Sequence, residues 1–222
     1  MPKCMACRSD PTVLRCMMFA DVRVYCFLFP VAMSDVGFDV VVHGVLECAE
    51  CLEAGMIYCR TVLSKGADWV VTSPPASGER VNNVEIVTQM SERLPGPVAK
   101  FTWNAPFEFS LRSTNVSGWP QIGIQLTTID GSGKDVVVGY ARCHVPMRSG
   151  SFTKDLPLMQ PVSSTPQQKL FGFFSGPPEI RDIHFLCSAE DRITMHARRL
   201  PGYVRITFNL GVNGQEALGY DV

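Results

Sequence analysis

The most regular pattern in the chain is an alternation of apolar and polar residues between Phe101 and Pro146. Three runs with a period of two are separated by polar breaks that contain glycine, at 113–118 and 130–135. Alternate residues of a strand share one face, so each run predicts a strand that covers a core with one side. The apolar positions of these runs are Phe107, Phe109 and Leu111, then Ile122, Ile124 and Leu126, then Val136, Val138 and Tyr140.

Further strands are predicted on both sides of this stretch, from runs rich in β-branched and aromatic residues. Residues 47–55 are polar enough to form a connection, and 73–78 form a loop because two prolines remove ladder donors. Residues 69–71 are predicted to be buried, and 156–158 to form a short edge segment. The additional predicted strands are 38–46, 56–63, 84–90 and 203–210.

One short helix is predicted after residue 164, where Thr165 can cap a helix that has Pro166 at its first position. Gly176 and the prolines after it would end this helix. About eight strands and one helix, without β–α–β alternation, predict an all-β fold, an antiparallel β-sandwich. The apolar face of the helix would consist of Leu170, Phe171, Phe173 and Phe174.

Residues 1–36 differ from the rest of the chain, because they hold four of the nine cysteines and five of the ten methionines. We predict that 1–36 form an N-terminal extension and that 37–222 form the folded domain. The extension is either disordered, packed on the domain, or not native, in which case Met33 is the true start. A signal or anchor segment fits less well, since Asp21 and Pro30 flank or interrupt the apolar run.

The charge of the chain bears on its partners. The formal net charge is −1 at pH 7, and 18% of the residues are charged. A broad nucleic-acid-binding surface needs a strong basic excess to release phosphate counterions, so we expect no nucleic-acid partner. No uninterrupted apolar run reaches the about 18 residues of a spanning helix, so we expect none.

The cysteines are odd in number and irregularly spaced, and no convincing signal peptide precedes them. This pattern favours reduced thiols in a cytosolic compartment. Cys4-x-x-Cys7 and Cys48-x-x-Cys51 have the pairwise spacing of a four-cysteine zinc site. The two pairs are much further apart than in the usual zinc site, so plain thiols are the stronger interpretation. We predict neither a metal nor a cofactor.

The sequence contains none of the usual catalytic motifs. Neither a nucleotide-binding loop nor a nucleophile elbow occurs. Cys143 and His144 are neighbours on a predicted strand, so they point to opposite faces and cannot act as a nucleophile and its base. We therefore predict no catalytic residue and no enzyme. The histidines, none with a second ligand at metal spacing, are His43, His144, His184 and His196.

Two polar stretches invite a binding function. The loop from Asp130 to Asp135 resembles part of a calcium loop, but it lacks the further carboxylates of such a site, and a hairpin turn is favoured. A basic cluster at 196–199 and Arg205, extended by Lys154 or Lys169, could meet acidic lipid headgroups. A solvated surface is the stronger interpretation of that cluster.

A set of short motifs along the chain carries a resemblance to a known protein family. The resemblance covers residues 38–222, and this chain departs from the family pattern at Ala105, at 116–117 and at Ala141. These departures concern details of partner contacts more than the fold. The motifs are Trp103-Asn104-Ala105-Pro106-Phe107, Ser113-Thr114-Asn115, Gly118-Trp119-Pro120-Gln121-Ile122, Gly139-Tyr140, His144-Val145-Pro146, residues 169–174 and Leu218-Gly219-Tyr220-Asp221. Together they resemble the B9 domain family.

This resemblance implies a C2-like sandwich at 37–222 and a non-enzymatic role at the base of the cilium. It implies a scaffold subunit of the transition-zone complex, with other B9 domain proteins and Meckel-syndrome-associated and tectonic-type proteins as partners. The complex would contribute to cilium assembly and to the membrane diffusion barrier. The alternative is a module that binds phospholipid without calcium, with peripheral membrane contact. The implied location is the cytoplasm at the transition zone, basal body and cytoskeleton.

Overall fold

A computed structural model of the chain describes residues 37–51, 54–72, 84–163, 165, 167, 178–188, 196–216 and 219–220. Within these ranges there are ten β-strands and one 3₁₀ helix, Ile183–Leu186. The strands are β1 Phe38–Cys51, β2 Met56–Ser64, β3 Val70–Val71, β4 Glu85–Val87, β5 Ser91–Glu92, β6 Lys100–Ser113, β7 Gln121–Ile129, β8 Asp135–His144, β9 Gly150–Pro161 and β10 Ala197–Asn213.

The strands form an antiparallel sheet in the order β3-β6-β1-β10-β9-β8-β7-β2-β4, and β5 pairs with β2. β8 and β9 pair only between Tyr140 and Met159, and this sparse pairing divides the sheet into two halves, one on either side of it. Residues of both halves, such as Phe208 and Ile124, belong to one buried cluster. The all-β class and the antiparallel sandwich are therefore confirmed.

The alternating runs of the sequence supply this core. Phe109, Leu111, Ile124 and Leu126 are each at most 1% exposed, and they come from β6 and β7. Burying a large apolar side chain contributes about 1.5–3 kcal/mol each, so these positions account for much of the driving force for folding. Trp103 on β6 adds a directional contact, because its indole N–H donates to the carbonyl of Ile57 at 3.2 Å.

A second, smaller cluster lies on the other face of β2, β7 and β8. The 3₁₀ helix covers that face with Ile183 and Leu186, and Asp182 caps the helix by accepting from the His184 N–H at 2.9 Å. The Tyr140 hydroxyl accepts a hydrogen bond from the Ile180 N–H at 2.8 Å, which fixes the chain before the helix. Part of this half of the sandwich is therefore buried on both faces.

The prediction for β8 was wrong in one respect. Val136, Val138 and Tyr140 were expected on one face, but Val138 belongs to the main core and Tyr140 to the second cluster. The register passes from Leu126–Gly139 to Thr127–Val137, so Val138 is an extra residue on β8. A bulge of this kind shifts the alternation by one position, and a strict period of two cannot show it.

Several strands are longer than predicted. β1 continues through the predicted connection to Cys51, and the short edge segment is part of the 12-residue strand β9. β10 begins at Ala197, because Pro201 and Gly202 lie in a bulge and do not end the strand.

Val70 was expected to be buried with Trp69, but it lies on the edge strand β3 and is 60% exposed. The predicted helix at 165–174 lies almost wholly outside the described residues.

Candidate interaction surfaces

Aromatic side chains close one end of the sandwich. Trp69 and Trp119 meet edge to face with ring centroids 5.0 Å apart, and Phe38 contacts both. Each indole N–H is satisfied, by the carbonyl of Ser117 at 2.9 Å and by that of Val145 at 2.8 Å. These tryptophans therefore hold the loops at this end together, and their rings are buried instead of offered to a partner.

Two glycines bring these loops together. The Gly66 N–H donates to the carbonyl of Gly118 at 2.9 Å, and Gly118 has φ of +66°. A Cβ at Gly118 would lie 2.5 Å from the Gly66 Cα, so this crossing requires glycine. The Gly-Trp-Pro motif is thus structural: Gly118 permits the crossing, Trp119 anchors it, and Pro120 precedes β7.

The outer edge of β6 carries features that discourage another strand from pairing there. In the described chain β3 pairs only with Leu111 and Arg112. Further along β6, Asn104 has φ of +47° at a bulge, Pro106 lacks an N–H, and Glu108 is exposed. Charge, proline and bulges are the usual means of preventing edge-to-edge association. Partners are therefore expected on faces or loop ends instead of on this edge.

The cysteines of the described chain are buried, and burial disfavours ionisation of three of them. Burial raises the pKa of the Cys59 and Cys143 thiols to about 12, and that of Cys187 to about 11. Since the thiolate is the nucleophile and the metal ligand, these groups are inert at neutral pH. Cys143 is buried while His144 is exposed, so the two side chains lie on opposite faces, as predicted.

The sequence-predicted metal candidates are not brought together in the described residues. Cys48 and Cys51 both lie on β1 and are buried, whereas Cys4 and Cys7 lie outside the described chain. Within the described ranges, no group of three or more His, Cys, Asp or Glu side chains is arranged to hold a metal ion. His43 instead lies 3.5 Å from Glu108 on the exposed surface of β1 and β6.

The Asp130–Asp135 loop is a closed hairpin turn. One carboxylate oxygen of Asp130 accepts from the Ser132 N–H, the Ser132 hydroxyl and the Lys134 N–H, at 2.6 to 2.9 Å. These hydrogen bonds, led by the Ser132 hydroxyl, lower the pKa of Asp130. The Asp130 carboxylate therefore stabilises the turn, as the hairpin interpretation of the sequence predicts.

The basic cluster is largely engaged with neighbouring strands. Arg198 donates twice to the Gln160 side-chain oxygen, at 2.7 and 3.1 Å. Arg205 makes a bidentate pair with Asp155 at 2.6 and 2.8 Å, which lowers the pKa of that carboxyl. Lys154 donates to the carbonyl of His144 at 3.0 Å. Lys169 lies outside the described residues, and Arg199 is exposed.

A slot that the sequence did not predict lies between the end of β1, the bulge in β10 and the loop before β6. Its volume is about 160 Å³, and Glu50 is the only charged residue in its lining. The Tyr203 hydroxyl donates to the Glu50 carboxylate at 2.6 Å. This hydrogen bond is the main reason that the pKa of Tyr203 is raised to about 12. The lining residues are Glu50, Cys51, Val98, Ala99, Pro201 and Gly202.

The sequence held one signal for this slot. Proline and glycine inside a strand mark a bulge, and Pro201-Gly202 stands directly before a clear run of alternating residues. Glu50 had no such signal, because its surroundings looked like a polar connection.

No helix in the described part of the chain is both long and apolar enough to span a membrane.

Comparisons with known proteins identify a family and several relatives of this chain. The model of a family described as "Ciliary basal body-associated, B9 protein" matches residues 40–211. B9 domain-containing protein 1 of Xenopus laevis is 33% identical over 81% of this chain and 87% of its own length. The human protein of that name is 31% identical, over 83% and 86%. B9 domain-containing protein 2 of Rattus norvegicus is 27% identical, over 71% and 85%.

Among solved structures, a C2 domain of plant extended synaptotagmin 1 has 12% sequence identity and a TM-score of 0.37. The alignment covers 77% of this chain and 92% of that domain. The family model spans the strands from β1 to β10, and the relatives are matched over most of their length. The chain therefore belongs to the ciliary basal body-associated B9 protein family.

Proposed function

We propose that the chain is a non-enzymatic scaffold subunit of the transition-zone complex at the ciliary base. Its direct partners are other B9 domain proteins, foremost those of the B9 domain-containing protein 2 type. In this role it contributes to cilium assembly and to the barrier that controls entry of membrane proteins. The observation that carries the proposal is the family match over residues 40–211.

The structure supports a binding role, because the polar groups named below hold the fold together and are not arranged for chemistry. The thiols of Cys59 and Cys143 are buried with raised pKa, and the Asp130 carboxylate is engaged in its own turn. The exposed sheet surface of β1, β6, β9 and β10 carries cross-strand pairs such as Arg205–Asp155 and His43–Glu108. A rigid sandwich with such a surface suits a subunit that positions other proteins.

The test is direct binding to a sister protein. The full chain and a B9 domain-containing protein 2 from the same species are purified separately, mixed, and analysed by size-exclusion chromatography with light scattering and by calorimetry. We expect a stoichiometric complex. A chain that stays monomeric in the presence of excess partner would contradict the proposal.

A second experiment tests the location. The chain is tagged at its C-terminus, expressed in ciliated cells and imaged relative to basal-body and transition-zone markers. We expect a signal at the transition zone. A uniform cytoplasmic distribution, or one along the whole ciliary shaft, would contradict the proposed role.

A further inference from the structure

The slot beside Glu50 is built by an irregularity of β10. The register passes from Arg199–Met159 to Tyr203–Pro157, so three residues of β10 face one residue of β9. The first of them, Leu200, is buried, while the following Pro201 and Gly202 line the slot. Bulges re-aim side chains and often lie next to binding sites.

Gly202 makes this arrangement sterically feasible. It has φ of +120°, and a Cβ at this position would lie 2.0 Å from the carbonyl oxygen of Glu50. No other residue type could bring the bulge so close to β1. The slot therefore depends on the close approach of β10 to β1, which Gly202 permits.

The walls of the slot are mostly apolar, and its charge is negative. Val98 is 49% exposed, and Leu94 on the same loop is 48% exposed, so apolar surface continues beyond the slot. Glu50 already accepts from Tyr203, and no other hydrogen bond to its carboxylate is found among the described residues. The Tyr203 hydroxyl donates to one oxygen of this carboxylate, and this hydrogen bond orients the group.

Neighbouring charges leave this carboxylate available. Lys100 lies directly across β1–β6 from Glu50, yet within the described chain it forms no ion pair with it. Arg205 lies close by but is already paired with Asp155. Glu47, which accepts from the Thr207 hydroxyl at 2.6 Å, adds a second carboxylate to the same strand.

We propose that the slot receives a lysine or arginine side chain from a partner protein. The methylene stem packs against Val98 and Pro201, and the cation pairs with the free oxygen of Glu50. This assignment names a contact within the scaffold role, so the identity of the partner rests on the proposed function. The carboxylate argues against an anionic headgroup as the occupant.

The first test does not depend on the partner. The ¹⁵N-labelled full chain is titrated with n-butylguanidinium and, separately, with n-butanol, and amide shifts are followed by NMR. We expect weak saturable binding of the cation, with shifts concentrated at Cys51, Val98 and Gly202, and smaller shifts with the alcohol. Glu50→Gln should weaken the binding about threefold to tenfold, because the charge pairing is lost.

Two further variants sharpen this test. Lys100→Ala removes a neighbouring positive charge that repels the probe, and it should strengthen binding of n-butylguanidinium about twofold. Glu108→Gln, the same charge change on the same exposed sheet surface, should leave the binding unchanged. Shifts spread over the surface, or equal effects of Glu50→Gln and Glu108→Gln, would overturn the slot.

The second test uses the sister B9 protein of the proposed function. Glu50→Lys should weaken that complex at least tenfold, whereas Glu108→Lys should change it less than twofold. A complex that forms normally with both variants overturns the slot and leaves the scaffold role standing. Localised cation binding without any complex in the unmodified chain overturns the scaffold role and leaves the slot.

Discussion

At the scale of single residues, the loop end of the sandwich depends on contacts that tolerate no added atom. Gly66 and Gly118 cross so closely that a methyl group on either would meet the backbone of the other. The tryptophans beside them each use the indole N–H on a loop carbonyl. A change at this crossing therefore disturbs both aromatic anchors at once.

Gly118→Ala should lower the free energy of unfolding by about 1–3 kcal/mol, because it adds steric overlap at a positive φ. Urea unfolding followed by tryptophan fluorescence measures the change. Gly131→Ala is the matched control, since a Cβ there meets nothing within 4 Å and its φ is not positive. Equal stabilities of the two variants would show that the crossing is not under constraint.

Tyr203 provides a titration that reports on Glu50. Because its hydroxyl donates to that carboxylate, its pKa is about 12, above the ordinary value of 10. A group whose folded pKa is raised stabilises the fold fully below the unfolded pKa, and this contribution is lost as the pH rises from 10 towards 12.

Glu50→Gln should lower the pKa of Tyr203 towards its ordinary value, because the anionic acceptor is removed. Tyrosinate absorbance, taken as the difference between each protein and its Tyr203→Phe partner, isolates this group. An unchanged titration in the Gln variant would mean that the hydrogen bond does not exist in solution.

At the scale of elements, the residues on an edge strand determine whether another strand can pair with the sheet. β6 bears Pro106 and the positive-φ Asn104 where β3 no longer covers it in the described chain. Proline removes a donor from the edge, and the bulge breaks the straight row of backbone groups that an added strand would need. The Trp-Asn-Ala-Pro motif of the sequence therefore prevents another strand from pairing with this edge of β6.

Pro106→Thr restores an N–H and a strand-favouring side chain at this edge, so we expect concentration-dependent self-association. Light scattering over a concentration series measures it. Ser151→Thr serves as the control, because it adds the same residue type at an exposed strand position without creating a new donor. If both variants remain monomeric to the same concentration, Pro106 does not protect the edge.

The elements that could be predicted from the sequence are those with undisturbed alternation, such as β7 and the middle of β6. The ends of β1, β9 and β10 could not, because a bulge at Glu47 and prolines at 157 and 201 interrupt the pattern inside real strands. The Glu50 slot combines residues of β1, of the loop before β6 and of β10, which are distant in sequence. No local pattern carries such an arrangement.

At the scale of the whole molecule, burial places the thiols under the control of global stability. Four of the described cysteines, Cys48, Cys59, Cys143 and Cys187, are buried and free. Deep burial of thiols means that reagents reach them only when the structure opens. Their reactivity thus measures the opening of the sandwich.

We expect Cys59 and Cys143 to be modified by a maleimide far more slowly in the native chain than in urea. Peptide mass spectrometry after timed labelling gives a rate for each cysteine. Their rates should rise together in Gly118→Ala, by about tenfold for each 1.4 kcal/mol of stability that is lost. Fast labelling of either thiol in the unmodified chain would place it on the surface.

The pairing of β1 with β10 has a consequence for synthesis. Asp39 pairs with Asn213, so a strand that is translated early in the domain finds its partner in one that is translated late. The β1–β10 ladder cannot close until the ribosome has released that later strand, and such non-local pairing slows folding. A premature stop before residue 197 would leave β1 and β9 without their shared neighbour, so such alleles should behave as complete losses of the domain.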